Sequence, residues 1–214
     1  MLVLASNSPR RKQLLDLGGW PFRVQPAEID ERPRPGEAPD NYVLRLAESK
    51  ARAIAPHVEP GAVVIAADTT VADGMLILGK PLDAHQAEEM LTQLRGRTHR
   101  VYTAIAVLRA PAGSPLTDLG VTDVPMREYT DEEIFAYVAS GDPLDKAGAY
   151  AIQHAGFHPV ENLTGCFANV MGLPLCHLVR TLRKLGVSPQ TSVPQACQDM
   201  FSYACPVHAQ ILMG

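Results

Sequence analysis

Six places in this chain carry side chains suited to binding or cleaving an anionic group. The first is Ser6-Asn7-Ser8-Pro9-Arg10-Arg11. A helix N-terminus presents unpaired N–H groups and a positive partial charge, so arginines in a first turn oppose the dipole. An anion seated there would reconcile them, with backbone N–H groups, hydroxyls and two guanidiniums all facing it. A Ser-Pro helix cap with solvated arginines accounts for the same residues equally well. The stretch is not a phosphate loop of the GxxxxGK[ST] type.

Lys50 falls inside an apolar stripe of Val43, Leu46, Ala47, Ala53 and Ile54 at helical spacing. Its ammonium either snorkels past the core edge, the commoner outcome, or reaches into a cleft to meet phosphate. Asp68 directly follows the apolar run Val64-Ile65-Ala66-Ala67. A carboxylate at the carboxyl end of a buried strand stands where open α/β sheets place ligands. There it could hold Mg²⁺ or take a proton from water; opening a turn is the structural alternative. Glu31, in a charged loop with Arg32 and Arg34, and Lys80, in Gly79-Lys80-Pro81, read by default as surface residues. The proline at least stiffens the Lys80 turn. Gln153 ends a strand-like run, and its amide offers a donor beside an acceptor. That pair matches the O4/N3–H edge of uracil or thymine, as it would match backbone. Cys166 beside Gly165 has no histidine obviously placed to activate it as a nucleophile.

Strand-like and helix-like stretches alternate, which argues for an α/β or mixed fold. Leu2–Ala5 reads as a short buried strand. A helix follows, capped by Ser8, opened by Pro9 and stopped by Gly18-Gly19. Asp40 or Asn41 is expected to cap a second helix running to about Ala55. Val63–Ala67 has the β-branched, wholly apolar pattern of a strand covered on both faces. Asp73-Gly74, between apolar runs in 70–78, predicts a hairpin. Asp83 opens a helix ending at Gly96, strands follow at 101–108 and 119–124, and Thr130 with Glu133 forms a capping box for a helix ending at Ser140-Gly141. Tyr150–Gln153 reads as a short strand, and residues 173–185 as a last helix closed by Gly186. Beyond Val187 the periodicity decays, and 187–214 reads as an appendage with little regular structure and no part in the chemistry.

The chain has 214 residues, 46% hydrophobic and 20% charged, as in ordinary globular proteins. One compact unit or two fused lobes both fit that length. A net charge of −4 supplies no global field toward nucleic acid or anionic lipid. No run reaches the roughly 20 apolar residues of a membrane span, and the apolar start is too short for a signal peptide. The four cysteines lack CxxC spacing and the seven histidines lack HExxH, which disfavours a zinc site or disulfide framework and favours a reducing cytoplasm.

The stretches LASNSPRRKQLL from Leu4, YVLRLAESKA from Tyr42, IAADTTV from Ile65, LGKP from Leu78, VYTA from Val101, YVASGDPLDKAGAYAIQ from Tyr137 and NVMGLPL from Asn169 stand in one order. In that order they resemble the Maf family of nucleoside triphosphate pyrophosphatases over about residues 2–185. The resemblance implies a Maf-like domain over 1–186, with a Maf/Ham1-like (ITPase-like) α/β fold. Its elongated mixed sheet would carry two lobes, flanked by helices, around a nucleotide cleft. It also implies hydrolysis at the α-phosphorus with a divalent cation, Mg²⁺ or Mn²⁺. Carried over position by position, the family's catalytic set falls on Ser6, Arg11, Glu31, Lys50, Asp68 and Lys80. Glu31 and Asp68 would be the metal ligands, with Asp68 alternatively the base for the attacking water. The positions that separate subgroups by base fall on Arg10, Thr69 and Gln153, as in the dTTP/UTP group; the group preferring 7-methyl-GTP has Trp, Gln and Glu there. The implied partner is a small nucleotide, with no nucleic acid or membrane, and a homodimer is left open. Two alternatives stand beside this: 7-methyl-GTP or another modified nucleotide as substrate, or a non-catalytic nucleotide-binding regulator of cell division and septum formation. The chain departs from the family in having Gly165-Cys166 where a Gly-Ser or Gly-Asp pair is usual, and in lacking a glycine-rich stretch over 153–164.

Overall fold

The computed structural model describes all of residues 1–214. Six strands form one mixed sheet: β1 (Leu2–Leu4), β2 (Phe22–Val24), β3 (Val63–Asp73), β4 (Leu76–Leu78), β5 (Thr98–Arg109) and β6 (Leu116–Pro125). Their order is β2-β1-β3-β5-β6, with β4 paired to β3. β1 runs parallel to both β2 and β3, whereas β3, β5 and β6 form an antiparallel meander and β4 folds back on β3.

Both faces of the central pair are covered, and the sequence alternation shows how. Val63, Ile65 and Ala67 of β3, with Ile105 and Val107 of β5, pack on one side. Against them lie α1 (Pro9–Asp16), α5 (Phe167–Met171) and α6 (Leu175–Arg183). Val64 and Ala66, with Ala104 and Ala106, face the other side, where α2 (Pro39–Ile54) presents Val43, Ala47, Ala51 and Ile54. Farther along the same strands, Val71, Val101 and Val124 meet α3 (Ala84–Leu94) and α4 (Asp131–Ala139) in a third cluster. Each fully buried aliphatic side chain stabilises by about 1.5–3 kcal/mol.

Local signals place most boundaries. Ser8 caps α1 by accepting from the Arg11 amide at 3.4 Å, with Pro9 as the first helical residue. Asp83 caps α3, and Thr130 with Glu133 closes both halves of a capping box on α4. Gly74, at φ 63°, makes the β3–β4 turn.

Three expectations are corrected. α2 starts at Pro39 behind Ala38, without a side-chain cap, so neither Asp40 nor Asn41 caps it; proline at the first position supplies the start instead. Tyr150–Gln153 is not a strand: Tyr150 is extended, and the chain then turns at Ile152–Gln153, where the His154 amide donates to the Ala151 carbonyl at 3.1 Å. The helix expected over 173–185 is present as α6, and α5 precedes it as a separate short helix that ends where Gly172 takes φ 106°. Residues 187–214 contain two helices, α7 (Val193–Phe201) and α8 (His208–Met213). Val193 is buried, Phe201 stacks on Phe167 at 4.6 Å, and the Trp20 indole N–H donates to the Ser188 carbonyl at 2.8 Å. Helices this short have little stability of their own, so the pattern that reveals them is the surface they cover. All four cysteines are free, and no helix is long and apolar enough to cross a membrane.

Candidate functional site

The sheet leaves a gap at its centre. β1 pairs with β3 only as far as Ile65, and β4 begins pairing at Val71. Between them Ala66–Thr70 have a strand partner on the β5 side alone. A cleft of about 640 Å³ opens at this stretch of free edge. Successive strand residues point to opposite faces, so Asp68 turns toward α2 and Thr69 toward α1. All nine residues singled out in the sequence line this one cleft.

On the α2 side, Lys50 joins two carboxylates. Its Nζ lies 2.6 Å from Asp68 Oδ1 and 2.7 Å from Glu31 Oε1. Lys50 and Asp68 are only 7% and 6% exposed, so the lysine reaches the cleft and does not snorkel to solvent. Burial pushes the Asp68 carboxyl above its ordinary range, against the pull of Lys50 and then of Arg11. Glu31 is exposed, but its loop is fixed. The Tyr42 hydroxyl donates to the Glu31 carbonyl at 2.9 Å, and Arg45 donates to the Arg32 carbonyl and to both oxygens of Glu37. Burial raises the Tyr42 phenol to about 12, so it keeps its proton and its role as donor near neutrality.

On the α1 side, Arg11 is anchored at three points. Its Nε donates to the Gly172 carbonyl at 2.9 Å, Nη2 to Thr69 Oγ1 at 3.1 Å and Nη1 to Ser6 Oγ at 3.4 Å. Burial lowers the guanidinium's pKa while Asp68 raises it; arginine nevertheless stays charged in proteins. Gly172 is required here twice over, since its φ of 106° excludes ordinary side chains and an added Cβ would lie 3.2 Å from Thr69 Oγ1. Ser6 Oγ also accepts from the Ser8 amide at 3.2 Å, which shapes the loop ahead of α1.

The far wall comes from the other end of the sheet. Lys80 and Gln153 are exposed and carry no hydrogen bond or ion pair within the chain, so their polar ends are open to a ligand. Arg10 reaches across the mouth to Asp145 at 3.8 Å. Asp145 in turn accepts from Lys146 at 2.6 Å, and the buried Lys146 ammonium also donates to the side chain of Asp142 at 2.9 Å. Tyr137 donates to Asp142 at 2.7 Å and accepts from the Ala151 amide at 3.0 Å, which fixes the approach to Gln153.

Sequence reasoning missed Tyr42, Asp145, Lys146 and Gly172. Tyr42 lies eight residues before Lys50, on the same helical face, and that spacing was the available signal. Lys146 and Gly172 gave none, because their roles depend on loops whose course no periodicity records. As a whole the cleft sets the cations Arg10, Arg11, Lys50 and Lys80 around two carboxylates, an arrangement matched to a polyanion with a cation of its own.

A family model described as Maf-like protein matches residues 1–185. A dTTP/UTP pyrophosphatase from Citrifermentans bemidjiense is 47% identical over 185 residues, covering 86% of this chain and 95% of that protein. One from Myxococcus xanthus is 50% identical over 188 residues, covering 87% and 93%. The solved structure of a HAM1 protein from Coxiella burnetii is 16% identical and superposes with a TM-score of 0.45, covering 94% of this chain and 96% of that one.

Proposed function

The chain belongs to the Maf-like protein family, and from that premise we propose that it is a nucleoside triphosphate pyrophosphatase that converts dTTP and UTP to their monophosphates and pyrophosphate. The observation that carries the reading is the meeting of Lys50, Asp68 and Glu31 at one ammonium, beside the anchored Arg11, in a cleft reached by every other candidate. Relatives bearing that activity in their names are 47% and 50% identical over nearly their whole length.

The donor set suits a hard divalent cation such as Mg²⁺ or Mn²⁺. Asp68 and Glu31 bring carboxylate oxygens to a single nitrogen, within reach of one another. Two protein carboxylates, with phosphate and water supplying the rest, is the usual provision for Mg²⁺. When bound, such a cation neutralises charge on the triphosphate oxygens. Phosphoryl chemistry then asks the protein chiefly for positioning and charge stabilisation. Arg11 and Lys80 answer the charge developing on the α-phosphoryl group and on departing pyrophosphate, and Lys50 adds to it while holding both carboxylates in register. Ser6 and the amides at the start of α1 receive phosphate oxygens. Asp68, whose carboxyl is drawn toward the neutral form by burial, orients the attacking water or accepts its proton. Arg10, Thr69 and Gln153 receive the base. Four free cysteines and a nucleotide substrate support a cytoplasmic setting.

The test is pyrophosphate release from a panel of dTTP, UTP, CTP, GTP and 7-methyl-GTP with Mg²⁺. Turnover of dTTP and UTP well above the others is expected. Asp68→Asn, which preserves shape, is expected to lower kcat by at least about a hundredfold with an unchanged circular dichroism spectrum. Preferred cleavage of 7-methyl-GTP, or wild-type turnover in Asp68→Asn, would overturn the reading.

A further inference from the structure

Thr103 stands directly opposite Thr69 in the β3–β5 register, and it is fully buried. The two hydroxyl oxygens are 3.0 Å apart. Thr103 Oγ1 also lies 2.8 Å from the backbone carbonyl of Asn169, and Thr69 Oγ1 lies 3.1 Å from Arg11 Nη2. Asn169 is itself immobilised, its amide donating to the Val101 carbonyl and to Thr122 Oγ1, both at 3.0 Å.

The ends of this chain fix its direction. A guanidinium only donates and a carbonyl only accepts. Thr103 has a single hydroxyl proton, and the 2.8 Å contact with a carbonyl requires it. Thr103 can therefore meet Thr69 only as an acceptor, and the Thr69 proton must point inward to fill that bond. Arg11 occupies one lone pair of Thr69. What Thr69 shows to the cleft is one remaining lone pair and no proton.

We infer that Thr103 is a specificity-determining positioning residue: by committing the Thr69 proton to the sheet, it makes Thr69 an obligate acceptor for a ring N–H of the bound base. Uracil and thymine carry that donor at N3, whereas cytosine presents a lone pair there and meets repulsion. The inference rests on the reading of the cleft as a pyrimidine triphosphate site. A hydroxyl pair serving only as a cross-strand contact would make no distinction between bases.

Thr103→Val keeps the side chain's outline and removes the acceptor, leaving the Thr69 hydroxyl free to rotate and donate. The expected result is a fall of about tenfold in the ratio of kcat/KM for UTP over CTP, the scale of one hydrogen bond exchanged for a mismatch. Thr103→Ser, which retains the hydroxyl, is expected to keep the wild-type ratio. Should Thr103→Val fail to fold, Thr103→Ala removes the same acceptor without added bulk and carries the same expectation. A folded variant lacking the hydroxyl whose UTP:CTP ratio is unchanged would overturn the relay alone. A wild-type protein that hydrolyses neither dTTP nor UTP would overturn the functional reading together with it.

Discussion

Lys50, itself buried, sets one positive charge against two negative ones, the buried Asp68 and the exposed Glu31. Taking that charge away does not simply delete a contact, since it strands Asp68 in a low-dielectric surround. Breaking a buried ion pair from one side costs about 3–5 kcal/mol. Lys50→Ala should therefore lower the urea midpoint clearly. Lys50→Met combined with Asp68→Asn should regain most of that loss while remaining inactive. A double variant no more stable than Lys50→Ala would refute the coupling. At this scale the sequence was legible wherever a charged residue interrupted an apolar pattern, as at Lys50 in its helical stripe and Asp68 after its apolar run. It was not legible where a loop does the positioning. The three anchors of Arg11, Ser6, Thr69 and Gly172, lie 5, 58 and 161 positions away in the chain.

Among the elements, β5 carries a titratable group that reports on its packing. His99 is buried, with Nε2 2.8 Å from the Tyr150 hydroxyl and Nδ1 without a partner. Burial holds its pKa down at about 4. The unfolded chain takes up that proton near pH 6.5, so the neutral histidine contributes stability that is fully present above pH 6.5. It is lost as the pH falls through about 4, amounting to about 3 kcal/mol. Denaturation midpoints measured from pH 7 to pH 4 should fall accordingly, and His99→Gln should show a shallower slope over the same interval. His177, lowered by burial in the same way, adds to the wild-type slope. An identical slope in the variant would reject the assignment. The helix starts legible in the sequence were those with a chemical signal, at Ser8-Pro9, Asp83 and Thr130. β2 escaped notice because three half-buried residues at a sheet edge carry no pattern, and the Tyr150–Gln153 segment misled because its apolar residues face the core from a turn.

At the scale of the whole molecule, the last 28 residues are a second layer over one side of the core and not a loose end. Val193 sinks between existing helices, and the Tyr203 hydroxyl donates to the carbonyls of Leu163 and Gly165 at 3.1 and 2.8 Å. None of these residues reaches the cleft. Deleting 187–214 should accordingly lower the melting temperature by about 4 °C or more, as losing a buried aliphatic anchor worth about 2 kcal/mol implies for a domain of this size. The kcat/KM for dTTP at 25 °C should stay near that of the full chain. An unchanged melting temperature would show that the layer adds nothing.

β3 and β5, joined over ten consecutive residue pairs, run through all three hydrophobic clusters. A cut between β3 and β5 would therefore divide all three clusters, and the two ends cannot swing like jaws. Any tightening around a nucleotide falls to the outlying loops that bear Lys80 and Asp145, riding on a plank that does not bend.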